Sequence, residues 1–247
     1  MQRRNKPVGP AVERFDQVPI PRNEAQRAAE EMIQKVDWMF LAGPAGTGKT
    51  HQAVKMAVRA TQDQKYLGFR PKKIILSRPT VEAGPHRLGH LPGDINEKLA
   101  PWLQPIHDVL SKITTVKADV FMKSVFDVVT FQHMRGRTFD DAIVIIDEAQ
   151  NCTWDLLELA YCRLGQRAKM LFTGDHTQSD LPPHQQAFPW FMDALHGLES
   201  TACIYFDDSM IVRNSKLGEG LKRIRAGKTR WQQEKPPEPL TGRRTGH

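Results

Sequence analysis

Apolar positions along the chain switch repeatedly between a helical and a strand-like spacing, and the switches mark out successive elements. In PRNEAQRAAEEMIQKV, residues 21–36, Ala25, Ala28, Ala29, Met32, Ile33 and Val36 share one helical side, with Pro21 at the entry and Asn23 placed to cap. DWMFLA, residues 37–42, is a short continuous apolar run that suits a buried strand, and HQAVKMAVRATQ from His51 returns to helical spacing. A second buried strand is predicted in KKIILSRP, residues 72–79, through Ile74, Ile75 and Leu76. Residues 96–113 are helical in spacing but contain Pro101 and Pro105, which predict a kinked or broken helix. A short strand at 127–131 is followed by AIVIIDEAQ, residues 142–150, an apolar strand that ends in two acids. Next come a helix capped by Thr153 and stopped at Gly165, and a strand in AKMLFTGD. An amphipathic helix at 188–198, a strand at 202–206 and a basic helix at 216–225 complete the pattern.

This alternation predicts one α/β domain with a mostly parallel sheet of about five strands flanked by helices. Its expected limits are residues 20–226, between a Pro- and Arg-rich arm at 1–19 and a charged, proline-rich tail at 227–247, neither of which has apolar periodicity. A chain of 247 residues with 40% hydrophobic content can build one substantial core. No apolar run approaches the roughly 20 residues that span a bilayer, and MQRRNKPVGP lacks a signal-peptide core, so a cytoplasmic location without membrane partners is expected. Cys152, Cys162 and Cys203 are widely spaced without a C-x-x-C pair, which indicates neither a disulfide framework nor a zinc site.

Net charge of +7 invites a nucleic-acid reading, but its location weakens that inference. Residues 1–14 and residues 226–247 each carry +3, leaving +1 for the body. Basic flexible ends bind nucleic acid weakly and without sequence preference, and are equally common as solvated tails.

The first strong chemical signal is GPAGTGKT, Gly43 to Thr50, which fits G-x-x-x-x-G-K-[ST] without a mismatch. Gly43, Gly46 and Gly48 allow backbone conformations in which the N–H groups of the loop surround one anion, and Pro44, itself without an N–H, Ala45 and Thr47 complete the loop. Lys49 then meets the outer phosphates of a nucleotide, and Thr50 offers a hydroxyl to Mg²⁺. The second signal is Asp147-Glu148 at a strand end. Two adjacent carboxylates there repel and require a cation; Asp147 suits the metal and Glu148 the polarisation of an attacking water.

Other residues carry weaker signals. Gln26 has the amide needed to read adenine, or is a solvated helix residue. Residues 77–95, SRPTVEAGPHRLGHLPGDI, form an irregular loop at the ligand edge of the sheet, where Arg78 and Glu82 face a ligand or pair with each other. Arg135 and Arg137 flank Gly136 and suit phosphate contact or simple solvation. Gln178 is placed to sense a terminal phosphate or belongs to an ordinary turn. Arg213 reaches a phosphate in its own or a neighbouring subunit, or is a lone surface charge.

Taken together, GPAGTGKT, SRPTVEAG with LGHLPGD, MRGRT, IIDEAQN, TGDHTQSDLP and IVRN resemble the PhoH-like family, relatives of the nucleotide-binding half of superfamily 1 helicases. The resemblance spans roughly residues 20–225. It implies a RecA-like phosphate-loop NTPase using ATP and Mg²⁺, with Gln26 at adenine and Gln178 and Arg213 at the γ-phosphate. The loop GPHRLGHLPGD is one residue longer than usual, and Asn214 stands where His commonly follows the V-R pair. The resemblance further implies single-stranded RNA or DNA as a partner and a homo-oligomeric ring, possibly hexameric, whose subunit interface Arg135, Arg137 or Arg213 would complete. A closed ring needs two different surfaces in contact. The competing reading is an ATP-dependent conformational switch that acts on protein partners without moving along a strand.

Overall fold

In a computed structural model, the described residues are 21–79, 95–113, 117–175, 177–212, 219–220 and 223–224, with the backbone alone for 95–102. The arm at 1–19, the tail at 227–247, Glu82, Arg213 and most of the helix expected at 216–225 lie outside them. Six strands form one sheet: β1 (Trp38–Ala42), β2 (Lys73–Ser77), β3 (Phe126–Val128), β4 (Ala142–Ile146), β5 (Lys169–Gly174) and β6 (Thr201–Tyr205). Their order is β3-β2-β4-β5-β1-β6, and every pairing is parallel. The expected count of about five is therefore one short.

Eight helices accompany the sheet among the described residues: α1 (Glu24–Met32), α2 (Lys49–Gln62), α3 (Gln64–Leu67), α4 (Ile95–Ile113), α5 (Ala118–Val125), α6 (Phe131–Met134), α7 (Trp154–Tyr161) and α8 (Phe188–Ala194). Successive strand side chains point to opposite faces, so each continuous apolar run serves two cores. In β4, Ile143 and Ile145 enter the core beneath α1, α2, α4 and α5, while Ala142, Val144 and Ile146 enter the one beneath α7 and α8. The second core includes Phe40 stacked on Phe172, with ring centroids 4.6 Å apart. No helix among the described residues is long and apolar enough to cross a membrane.

Four local expectations need correction. α4 runs unbroken through Pro101 and Pro105; burial of Ile106, Val109, Leu110 and Ile113 outweighs the two missing amide donors. α7 ends at Tyr161, four residues before Gly165, because the chain turns there to bridge Leu164 to Phe139. Gly165 serves close approach instead of a helix stop: a Cβ there would lie 2.1 Å from Asp140 Oδ1. Thr153 is the residue before α7, but its side chain makes no capping bond. α8 likewise stops at Ala194, short of residue 198, and Gly197 follows with φ of 87°.

Candidate functional site

An all-parallel sheet brings the carboxyl ends of its strands to one edge, where ligands bind in open α/β domains. β1 leaves that edge at Ala42 and enters the loop Gly43–Gly48, and α2 begins at Lys49. Gly43 has φ of 146°, and a Cβ there would stand 2.2 Å from the Phe206 carbonyl oxygen, so no side chain fits. The loop is tied from several sides. Gly43 N–H donates to the Gly174 carbonyl (3.0 Å), Val212 N–H to that of Gly46 (3.0 Å), and Ala45 N–H to Asp175 Oδ2 (3.0 Å). Buried Thr47 turns its hydroxyl to the Pro44 carbonyl at 2.8 Å. Lys49 Nζ folds over the loop, 2.6 and 2.9 Å from the carbonyl oxygens of Gly43 and Pro44.

Asp147 follows β4 and receives two hydroxyls on one oxygen, Thr50 Oγ1 at 2.8 Å and Thr173 Oγ1 at 2.5 Å. Glu148 has left-handed backbone, φ of 55°. Its Oε2 accepts from Gln150 Nε2 at 2.5 Å, and its Oε1 lies 3.5 Å from Arg78 Nη2. Gln150 is itself buried and accepts the Asp175 N–H at 3.0 Å, which joins the end of β4 to the end of β5.

Lys49, Thr50, Asp147, Glu148, Arg78 and Gln178 line one open cavity of about 850 Å³ that continues past Gln26 and His51 to α4. Gln26 is buried; its Nε2 donates to the Thr47 carbonyl (3.0 Å) and its Oε1 accepts from Arg22 N–H (2.8 Å). Burial, then the charges of Lys55, Lys112 and Arg22, hold the His51 imidazole down at about 4, leaving it neutral at pH 7.

The structure therefore brings together Gln26, Gly43 to Thr50, Arg78, Asp147, Glu148 and Gln178. Gln178 is exposed, with its backbone N–H bonded to the Asp175 carbonyl at 2.9 Å. Arg135 and Arg137 are not among the cavity's lining residues. Arg135 is exposed just after α6, and Arg137 pairs with Asp127 at 3.5 Å while its guanidinium covers the Phe139 ring. Arg213 and Glu82 lie outside the described residues, although Val212, beside Arg213, touches the loop. From the sequence, Thr173 and Asp175 are placed only at the ligand edge by the strand AKMLFTGD, and Gln150 only within IIDEAQN; their bonds to Asp147, to the loop and to each other come from the fold.

Thr50 and Asp147 supply the hard oxygen donors that Mg²⁺ prefers, and their 2.8 Å contact shows that both already face one point. Mg²⁺ keeps several waters and phosphate oxygens, so two protein donors suffice.

The family described as "PhoH-like protein" matches residues 20–224 of this chain. A PhoH-like protein of Synechocystis is 38% identical over 217 residues, covering 87% of this chain and 63% of that protein. One from Bacillus subtilis is 40% identical over 194 residues, covering 76% and 58%. Protein PhoH of Escherichia coli K12 is 37% identical over 183 residues, covering 71% and 49%. The chain thus spans less than two thirds of the length of these relatives.

Proposed function

Because the chain belongs to the PhoH-like family, which is of phosphate-loop NTPase type, we propose that it binds ATP with Mg²⁺ and hydrolyses it in this cavity. The single observation that carries the reading is the Thr50–Asp147 contact, which brings the two sequence motifs together as a shared metal-and-phosphate site requires. The loop amides and Lys49 bind the phosphates, with Lys49 exchanging its two carbonyl partners for phosphate oxygens. Thr50 and Asp147 hold the metal, and bound Mg²⁺ neutralises charge that develops on the β- and γ-phosphates. Glu148 orients and polarises the attacking water, and Gln178 and Arg213 contact the γ-phosphate. Gln26 reads adenine with the N–H and the lone pair that its present bonds leave over, since an amide has two of each.

The energy of hydrolysis is coupled to single-stranded RNA or DNA in an oligomeric ring. Neighbouring copies meet through two different surfaces, with Arg135, Arg137 or Arg213 at the junction. Phosphate release by the purified protein, with and without single-stranded RNA, alongside its mass in solution, tests both parts. Lys49→Ala and Glu148→Gln are each expected to lower kcat by roughly 10²–10⁴-fold, the second while retaining ATP binding. Full turnover in either variant overturns the hydrolase reading; indifference to single strands in a monomer overturns the coupling.

A further inference from the structure

Glu148 is the group asked to polarise water, yet both of its oxygens face protein donors, Gln150 on one and Arg78 on the other. The two donors differ in kind. Gln150 is neutral, buried and fixed from behind by the Asp175 amide, so it belongs to the frame of the site. Arg78 is a charged side chain, one third exposed, at 3.5 Å, and it leaves the end of β2 facing the cavity that Lys49 also lines. An ion pair of that length and exposure is weak and separable. A terminal phosphate oxygen entering the cavity competes for the same guanidinium with more negative charge and a matching fork geometry.

We propose that Arg78 is a positioning residue that switches partner: it pairs with Glu148 in the nucleotide-free protein and transfers to the terminal phosphate of a bound nucleoside triphosphate, releasing Glu148 toward water. The inference rests on the hydrolase reading above. It makes the triphosphate itself the signal that frees the base, and it makes Arg78 a discriminator between triphosphate and diphosphate.

The pairing predicts a thermodynamic coupling that is readable without turnover. Binding of a non-hydrolysable ATP analogue to the full chain is measured by calorimetry with Mg²⁺ for the wild type, Arg78→Ala, Glu148→Gln and the double variant, and repeated with ADP. Arg78→Ala weakens ATP about tenfold and ADP less than twofold, as expected for one lost charge-assisted hydrogen bond. Glu148→Gln tightens ATP several-fold, because Arg78 no longer has to leave a carboxylate, and this gain disappears in the Arg78→Ala background. Arg78→Lys recovers part of the ATP affinity, having the charge without the fork. Unchanged thermal midpoints exclude a folding effect. Wild-type protein that binds no ATP overturns the hydrolase reading itself. ATP binding without coupling between positions 78 and 148, or equal coupling with ADP, overturns the switch alone.

Discussion

Two aspartates bracket the same central strand: Asp141 precedes β4 and Asp147 follows it. Asp141 is satisfied by cations. Arg167 Nε lies 2.5 Å from one oxygen and Lys72 Nζ 2.7 Å from the other, and these bonds hold its carboxyl well below the ordinary carboxylate range. Asp147 is buried to a similar degree, 7% exposed against 8%, but its bonds come from the hydroxyls of Thr50 and Thr173. Hydroxyls can orient a carboxylate without neutralising it, which suits Asp147 to the metal-holding role proposed above, whereas Asp141 is paired with cations within the fold. Residue type and burial alone do not tell these two acids apart; the charge of their partners does.

The largest expected effect breaks the functional end of the pair. Asp147→Ala lowers ATP turnover by roughly 10³-fold through loss of the metal-holding carboxylate, while the thermal midpoint stays within a few degrees; phosphate release and calorimetry measure the two. A third acid sharpens the structural side. Glu30 joins α1 to α2 through buried Lys55 at 2.7 Å and to α3 through the Tyr66 hydroxyl at 2.7 Å. Burial raises its pKa, but Lys55, Tyr66 and Gln52 outweigh this and lower it. Glu30→Ala leaves the Lys55 ammonium buried without that carboxylate and costs about 3 kcal/mol in urea unfolding.

Asp141→Asn is milder, since Lys72 and Arg167 regain water. It costs about 1 kcal/mol and leaves turnover within twofold of wild type. The smallest effect is in pH. A carboxyl depressed on folding contributes stability above its unfolded pKa, near 3.9, and loses it as pH falls below that value toward the folded one. Urea midpoints of wild type and Asp141→Asn therefore keep a constant gap between pH 7 and 5, which narrows below pH 4. A gap that widens with acid would show that Asp141 is not held by its cations.

Much of this was legible in the sequence. Gly43 to Thr50 is a local motif whose chemistry depends on backbone freedom and on the order of a few neighbours, and the end of β4 announces Asp147-Glu148 by itself. Asn23 also caps as its position predicts, accepting from Gln26 N–H at 2.8 Å. Pro101 and Pro105 predict a break that is absent, because burial of the apolar stripe along the rest of α4 outweighs two missing amide donors. For Asp175 the sequence gives its place at the ligand edge but not its partners: Gln150 and Asp175 meet each other, and Asp175 the Ala45 amide, across 25 and 130 residues of chain.

By itself the sequence determined the alternation of elements, the phosphate-binding loop and the acids at the end of β4, because these rest on period and on bonds between near neighbours. Only the tertiary structure decided the strand order β3-β2-β4-β5-β1-β6. That order places Thr50 against Asp147 across 97 residues and turns Arg78, from the neighbouring strand β2, toward Glu148. The physical reason is that a parallel sheet aligns all its carboxyl ends, while the choice of neighbours depends on how two separate apolar cores close on its faces.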